Sequence, residues 1–235
     1  MVSWASNLGR ASTTIHRAKP RVIALLALAA AILSGAFLRV REARTVFSER
    51  ELWNGEWEYY ALARSLAAGP ALALFPGGAP SAVRLPLYPA WLSFAAGNGL
   101  ASARTARAVA GTLSIPTAFF TAAELAGPWA GALAACALVV PGLGAGAADL
   151  TIEPFYGWTL ALLALTLMRW RRIGGRREAI LAAAAFGLAA ATRSTILPAL
   201  PAAAAIAGWG LGTRETLRRG TLLAEIGRAS CRERV

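Results

Sequence analysis

The stretch VIALLALAAAILSGAFLRV at residues 22–40 decides the fold class, because 19 consecutive positions carry a single charge, Arg39. As an α-helix, a segment of this length rises roughly 28 Å, which matches the hydrocarbon core of a membrane. A signal peptide would end in a small-residue cleavage site before a soluble domain, and neither follows here. The stretch therefore predicts a first transmembrane helix or signal anchor, with Arg39 snorkelling towards the membrane surface.

Apolar runs recur along the rest of the chain, separated by polar breaks. The chain is 57% hydrophobic and 15% charged, with a mean hydropathy of +0.51, which is more apolar than a soluble domain. This pattern predicts an all-α, polytopic transmembrane bundle of about six helices, with short juxtamembrane helices in a long external loop. The five further spans are predicted at residues 104–126, 129–147, 155–170, 179–191 and 196–211.

The basic residues determine the predicted orientation of these helices. Arginines are concentrated in the N-terminal tail and at residues 169–177 and 214–219, and such segments usually face the cytoplasm. Residues 149–153 carry no basic side chain, and the loop 41–99 balances five glutamates against five arginines, so both are predicted outside. We therefore expect a protein of the bacterial inner (plasma) membrane with a cytoplasmic N-terminus.

The last eleven residues, EIGRASCRERV, read as the translation of a sequencing-adapter oligonucleotide. We interpret them as an artefact and expect that the natural reading frame was cut near Ala224, so that the chain is the N-terminal part of a longer protein. The predicted organisation is a cytoplasmic basic tail at 1–21, a transmembrane region at 22–213, a cytoplasmic segment at 214–224 and the artefact at 225–235.

Charge and cysteine content exclude several classes of function. The formal net charge is +12, but the basic residues fall in short clusters between apolar runs rather than in one patch, so nucleic-acid binding is excluded. Cys136 and Cys231 provide neither a disulfide framework nor the spacing of metal ligands. The single histidine, His16, lies in the predicted cytoplasmic tail, which argues against histidine catalysis.

The long loop contains the candidate catalytic residues. Glu56 and Glu58 lie in the first turn of a predicted amphipathic helix, whose apolar stripe begins at Tyr59 and includes Leu62. Tyr60 lies on a different face, one turn from Glu56. A partly desolvated glutamate at a membrane surface can act as a general base towards a hydroxyl group. Both glutamates also fit a purely structural role at the helix N-terminus, so the two interpretations stay open.

Four further charged residues are candidates for binding a substrate. Arg84 precedes LPLYP at residues 85–89, where prolines stiffen the backbone, and a fixed guanidinium there suits phosphate or carboxylate, or else snorkels to lipid headgroups. Arg193 lies within or just beyond an apolar helix, where burying a charge costs roughly 2.5–3.5 kcal/mol and favours a partner. Asp149 and Glu153 are either site carboxylates at the mouth of the bundle or ordinary loop charges.

The order of these motifs resembles that of the GT-C membrane glycosyltransferases, in particular bacterial relatives of protein O-mannosyltransferases and of the lipid A aminoarabinose transferase. That family places an acidic motif, a tyrosine and Ala-Arg-x-Leu just after the first helix, similar to residues 56–66. A later Arg-x-Pro-Leu-Tyr-Pro is similar to residues 84–89, and a loop glutamate before the fourth helix is similar to Glu153. Residues 191–194 keep the threonine and arginine of a family helix ending, and the resemblance covers roughly residues 20–215.

The resemblance implies an inverting transfer on the external face, from a polyprenyl-phosphate-linked sugar to an acceptor hydroxyl. Glu56 or Glu58 would be the base, although the family usually has an aspartate at this point, about four residues before its tyrosine. If Tyr59 corresponds to that tyrosine, the position of the family's aspartate is occupied by Gly55. If Tyr60 corresponds to it, the position is occupied by Glu56.

The resemblance also implies roles for the other candidates. Arg84, with Arg193, would stabilise the departing lipid phosphate, and Tyr59, Tyr60 and Tyr88 would line the sugar site. Lipid-linked sugar and membrane lipid are the implied partners. A divalent metal is compatible with this chemistry, but no ligand spacing in the sequence supports one.

Two other interpretations compete with a transferase. The first is a transporter or flippase-like bundle, in which Arg193 and the outer carboxylates form a substrate path. No repeat relates the two halves of the chain, and the loop is richer in polar groups than any span, which argues against it. The second is an inactive membrane fragment.

Overall fold

The residues that the computed structural model describes form helices joined by loops, with no strand among them. The described residues are 5–45, 52, 55–69, 72–75, 78–81, 84–139, 150–199, 201, 203, 218 and 221, with side chains described from Pro20 onward except that of Thr45. The helices are α1 (Ala5–Thr45), α2 (Glu56–Ala68), α3 (Leu87–Ala96), α4 (Leu100–Ala126), α5 (Pro128–Ala137), α6 (Glu153–Ile173), α7 (Arg176–Thr192) and a short 3₁₀ helix (Ser194–Ala199).

Helix α1 contains the predicted first span but extends beyond it at both ends. Arg, Lys and Glu have helix propensities close to that of Leu, so the helix continues into the polar flanks of the apolar stretch. Large apolar side chains on α1 are exposed, among them Leu26, Leu33 and Phe37, whereas a core helix of a soluble protein would bury them. Within the described residues, two helical segments are long and apolar enough to cross a membrane, Pro20–Arg44 and Leu100–Ala126.

The other predicted spans agree with the structure to different degrees. Helices α4, α6 and α7 lie over the predicted spans 104–126, 155–170 and 179–191 and extend a few residues beyond them. Helix α5 ends at Ala137, and most of the remainder of the predicted span 129–147 lies outside the described residues. The predicted span 196–211 falls on the 3₁₀ helix and then mostly on residues outside the description. The number of six membrane helices therefore stays a prediction.

Helix α4 is the central element of the bundle, because α1, α3, α5 and α6 all pack against it. The approach of α5 to α4 is close at Gly131, where an added Cβ would lie 2.7 Å from the carbonyl oxygen of Phe119. Apolar side chains from α1, α4 and α5 form one core cluster, which includes Leu28 and Ile115. A second cluster joins α6 to α7 around Phe186.

Helices α2 and α3 pack against each other, and a third core cluster joins them to the first turns of α4 and α6. This cluster includes Tyr59 from α2, Tyr88 and Leu92 from α3, Ala103 from α4 and Phe155 from α6. The arrangement brings the first turn of α2 next to the N-terminus of α6. We refer to this part of the molecule as the α2–α3 end of the bundle.

Candidate active site

An ion pair joins α2 to the segment that leads into α3. The Nε of Arg84 donates a hydrogen bond to Oε2 of Glu58 at 2.6 Å, and both side chains are partly exposed. The guanidinium also lies 5.1 Å from the ring centroid of Tyr59, within the range of a cation–π contact. An added Cβ at Gly55 would lie 2.9 Å from Nη2 of Arg84, so the glycine leaves room for this arginine. Burial would lower the pKa of Arg84, but the hydrogen bond and charge of Glu58 raise it overall.

A second ion pair joins α6 to the end of α7. Helix α7 ends at Thr192, and Arg193 follows in an extended conformation that carries its side chain towards the first turn of α6. Its Nη1 lies 3.7 Å from Oε1 of Glu153, and its guanidinium lies 5.8 Å from the ring centroid of Tyr156. Glu153 is the first residue of α6, where a carboxylate is favoured by the positive end of the helix dipole.

The two ion pairs surround one tyrosine. The charges of Arg84, Glu153, Arg193 and Glu58 all act on the hydroxyl of Tyr59, and we call these four residues the charge ring. Burial raises the pKa of Tyr59 above its usual value of 10.0, so this hydroxyl stays protonated at neutral pH. The ring places two carboxylates and two guanidiniums, all partly or largely exposed, over an aromatic surface.

Stacked aromatic side chains lie beneath the charge ring. Tyr59 meets Tyr88 edge-to-face with 5.1 Å between ring centroids, and Tyr88 contacts Phe155 at 5.5 Å. Trp158 continues the series at 5.4 Å from Phe155. Tyr88 is completely buried, and this burial raises the pKa of its hydroxyl. Such edge-to-face and tilted contacts stabilise the packing of aromatic side chains by more than the area they bury. They therefore hold the residues of the charge ring in position above them.

The two glutamates of α2 have different environments. Two residues correspond to about 200° of helix rotation, so Glu56 and Glu58 point to opposite sides of α2. Glu56 is only 3% exposed, and its Oε1 accepts a hydrogen bond from the backbone N–H of Leu150 at 2.8 Å. Glu56 therefore ties α2 to the segment before α6, whereas Glu58 faces the charge ring.

The structure brings together most of the residues that the sequence selected. The partly buried Tyr60 packs against the apolar cluster beneath the site, and Asp149 lies outside the described residues. Sequence reasoning missed Arg104 and Arg107, which are both 1% exposed. Their spacing of three residues at the start of an apolar span, which puts them on one helix face, was the available signal.

The predicted snorkelling of Arg39 is wrong. The side chain is 7% exposed, and its Nη2 donates a hydrogen bond to the carbonyl oxygen of Leu138 at 2.5 Å. Leu138 follows the last residue of α5, so this arginine satisfies a carbonyl group that a helix end leaves without a partner. Arg39 is buried because α1 packs tightly against α4 and α5. The residue pattern of one helix does not show which other helices pack against it.

No group of three or more His, Cys, Asp or Glu side chains in the described part of the chain is arranged to hold a metal ion. The divalent metal that the resemblance allows therefore has no ligand set among these residues.

An all-helical chain with two described segments long and apolar enough to cross a membrane, and with charged side chains gathered at one end of its bundle, has the features of a helical membrane protein. Residues 85–226 match the model of the dolichyl-phosphate-mannose-protein mannosyltransferase family. Because this match covers more than half of the chain, the protein belongs to that family of membrane glycosyltransferases. No curated protein and no solved structure matches the chain.

The family match includes only part of the candidate site. It begins at Leu85, one residue after Arg84, and contains Glu153 and Arg193. Glu56 and Glu58 precede it. The structure places Glu58 against Arg84 and near the matched residues, so the site joins an acidic segment outside the match to two helices within it.

Proposed function

We propose that the protein transfers a sugar from a polyprenyl-phosphate donor to an acceptor hydroxyl, at the charge ring and on the external face of the membrane. The observation that carries this proposal is the pair of neighbouring ion pairs, Glu58–Arg84 and Glu153–Arg193, around Tyr59. A transferase needs a base for the acceptor and cations for the leaving phosphate, and the charge ring provides both.

The two arginines suit the phosphate of the donor. When the acceptor oxygen bonds to the sugar's anomeric carbon, the bond from that carbon to the phosphate oxygen breaks and its electrons stay on the phosphate. Arg84 and Arg193 would stabilise this charge, and both are exposed enough to be reached. Guanidiniums bind phosphate oxygens through paired N–H donors, which also fixes the direction in which the leaving group departs.

Glu58 is the better placed of the two candidate bases. It faces the charge ring and is partly exposed, whereas Glu56 is buried and bonded to the backbone of Leu150. A donor phosphate competes with Glu58 for Arg84, so binding of the donor would release the carboxylate to accept the proton of the acceptor hydroxyl. The ring of Tyr59, with the buried Tyr88 packed beneath it, would support the sugar, and Glu153 would orient Arg193.

The distribution of charge along α6 supports the proposed location of the charge ring on the external face of the membrane. This helix begins in the charge ring at Glu153 and ends at Ile173 beside Arg171 and Arg172, and 21 residues correspond to roughly 31 Å. Arg172 pairs there with Glu124 at 2.5 Å, near the end of α4. Arginine-rich ends face the cytoplasm, so the charge ring would face outwards.

We expect membranes that contain the protein to transfer label from a radiolabelled polyprenyl-phosphate sugar, but not from a nucleotide sugar. In sealed vesicles of known orientation, transfer should require that the donor headgroup and the acceptor are present on the face opposite the N-terminus. The readout is label in the acceptor fraction after extraction of lipids. Transfer from the nucleotide sugar would contradict the proposed donor, and lipid-linked donor that crosses the membrane without transfer would favour a flippase instead.

A further inference from the structure

Gly55, the N-cap residue of α2, lies against the guanidinium of Arg84. A Cβ added at Gly55 would be 2.9 Å from Nη2 and 3.7 Å from Cζ of Arg84, whereas ordinary van der Waals contact for a Cβ begins at 3.4 Å. No atom of another described residue lies within 4 Å of this position, apart from the two neighbours of Gly55 in the chain. The arginine therefore occupies the space that any other side chain at position 55 would take.

Neither the backbone nor the start of the helix explains a glycine at this position. Its φ of −74° and ψ of 0° fall in a region that other L-amino acids also adopt, so no left-handed conformation requires Gly55. Helix α2 has no side-chain hydrogen bond at its N-cap, and Ser, Asp or Asn are at least as favourable there as glycine. In the described part of the chain, the close approach of Arg84 is thus the feature that requires the glycine.

The guanidinium of Arg84 is held from two further sides. Its Nε donates a hydrogen bond to Oε2 of Glu58 at 2.6 Å, and its Cζ lies 5.1 Å from the ring centroid of Tyr59. Because a guanidinium is planar and rigid, Nη2 cannot move away from Gly55 unless the whole group moves relative to Glu58 and Tyr59. A Cβ at position 55 would therefore shift the cation that is proposed to meet the phosphate of the donor.

We propose that Gly55 is a positioning residue of the transfer reaction, because its lack of a side chain fixes where the guanidinium of Arg84 lies between Glu58 and Tyr59. Gly55 acts through Arg84 and is assigned no contact with the substrate. This inference rests on the proposed function, in which Arg84 stabilises the departing phosphate. With a Cβ present, Nη2 would have to retreat from 2.9 Å to at least 3.4 Å, and a misplacement of about 1 Å can lower a rate about 10²-fold.

Gly55→Ala should lower kcat for sugar transfer roughly tenfold, since the shift it imposes is smaller than about 1 Å. The variant should fold and unfold close to the wild-type temperature, because the atom that has to move is the far end of a flexible side chain. Gly69→Ala, at the other end of α2, is the matched control. An added Cβ there meets no atom of the described residues within 4 Å, and the extended φ of 174° suits any residue, so kcat should stay at the wild-type value.

A double-mutant cycle separates positioning of Arg84 from a structural effect on α2. In the Arg84→Ala background the contact is absent, so Gly55→Ala should cause no further loss of kcat. An alanine that instead weakened the start of α2 would lower kcat by the same factor with and without Arg84. An equal loss in both backgrounds, or wild-type kcat in Gly55→Ala alone, overturns the proposal.

The chemical reactivity of Arg84 provides a readout that does not depend on sugar transfer. Phenylglyoxal modifies arginines, and peptide mapping by mass spectrometry gives the rate at each one. Arg84 should react roughly tenfold faster in Gly55→Ala than in the wild type, the factor that corresponds to one lost hydrogen bond to a charged group, with the exposed Arg64 as the unchanged reference. An unchanged rate at Arg84 overturns the positioning role. A faster rate in a protein that transfers no sugar removes the proposed function and leaves the placement of Arg84 by Gly55 standing.

Discussion

Replacing Arg84 by alanine is expected to reduce kcat/KM for sugar transfer by about 10²–10³-fold, which is the typical effect of removing one donor that stabilises charge in a transition state. The variant would lose the contact with the leaving phosphate. It would also lose the hydrogen bond of 2.6 Å that holds Glu58 in place. Arg84→Lys should recover only part of the rate, because an ammonium is a point charge without the paired donors of a guanidinium.

Arg64→Ala is the matched control for this prediction, since Arg64 is an exposed arginine on α2 and a six-residue spacing turns it about 120° away from Glu58 around the helix. It should transfer sugar at nearly the wild-type rate. The loss in Arg84→Ala should fall largely on kcat rather than on KM alone, because charge on the phosphate grows in the transition state. Wild-type kcat in Arg84→Ala would show that this arginine does not serve the leaving group.

Replacing Glu58 by glutamine is expected to lower kcat by about 10²–10⁴-fold, the usual contribution of a positioned general base. Glutamine keeps the size of the side chain but cannot accept the proton of the acceptor hydroxyl. Glu124→Gln is the matched control, because Glu124 also pairs with an arginine, Arg172, but at the opposite end of α4. It should leave kcat essentially unchanged.

Glu56→Gln separates the two glutamates of α2. A glutamine carbonyl can still accept the hydrogen bond from the backbone N–H of Leu150, so this variant should keep its fold and most of its transfer activity. The assignment is reversed if Glu56→Gln abolishes transfer while Glu58→Gln retains it. In that case the buried carboxylate would be the base, and its bond to Leu150 would orient it.

Local periodicity made the helices at the charge ring predictable. The apolar stripe that begins at Tyr59 is buried at Tyr59, Leu62 and Ala63, as a period of 3.6 residues requires. The apolar stretch at residues 22–40 likewise forms part of α1, since no residue within it terminates a helix. Both features depend on neighbours a few positions away, and such neighbours are visible in the sequence.

The pairing of charges was less accessible to sequence reasoning. Glu58 and its partner Arg84 are 26 positions apart in the sequence, and Arg193 and its partner Glu153 come from two different helical segments. Such contacts depend on how separate helices pack. The burial of Arg39 was missed for the same reason, because its side chain packs against Gly111, which belongs to a different helix, α4.

Photo-cross-linking with a polyprenyl-phosphate analogue, reactive next to its phosphate, tests the location of the active site most directly. Peptide mapping by mass spectrometry should find the label in residues 56–64, 84–91 or 153–158, and Arg84→Ala should reduce it. The opposite end of the bundle provides the contrast, since a groove of about 440 Å³ lies there beside Trp170 and Ile180. Label confined to that groove, unchanged in Arg84→Ala, would contradict the assignment of the charge ring as the site of sugar transfer.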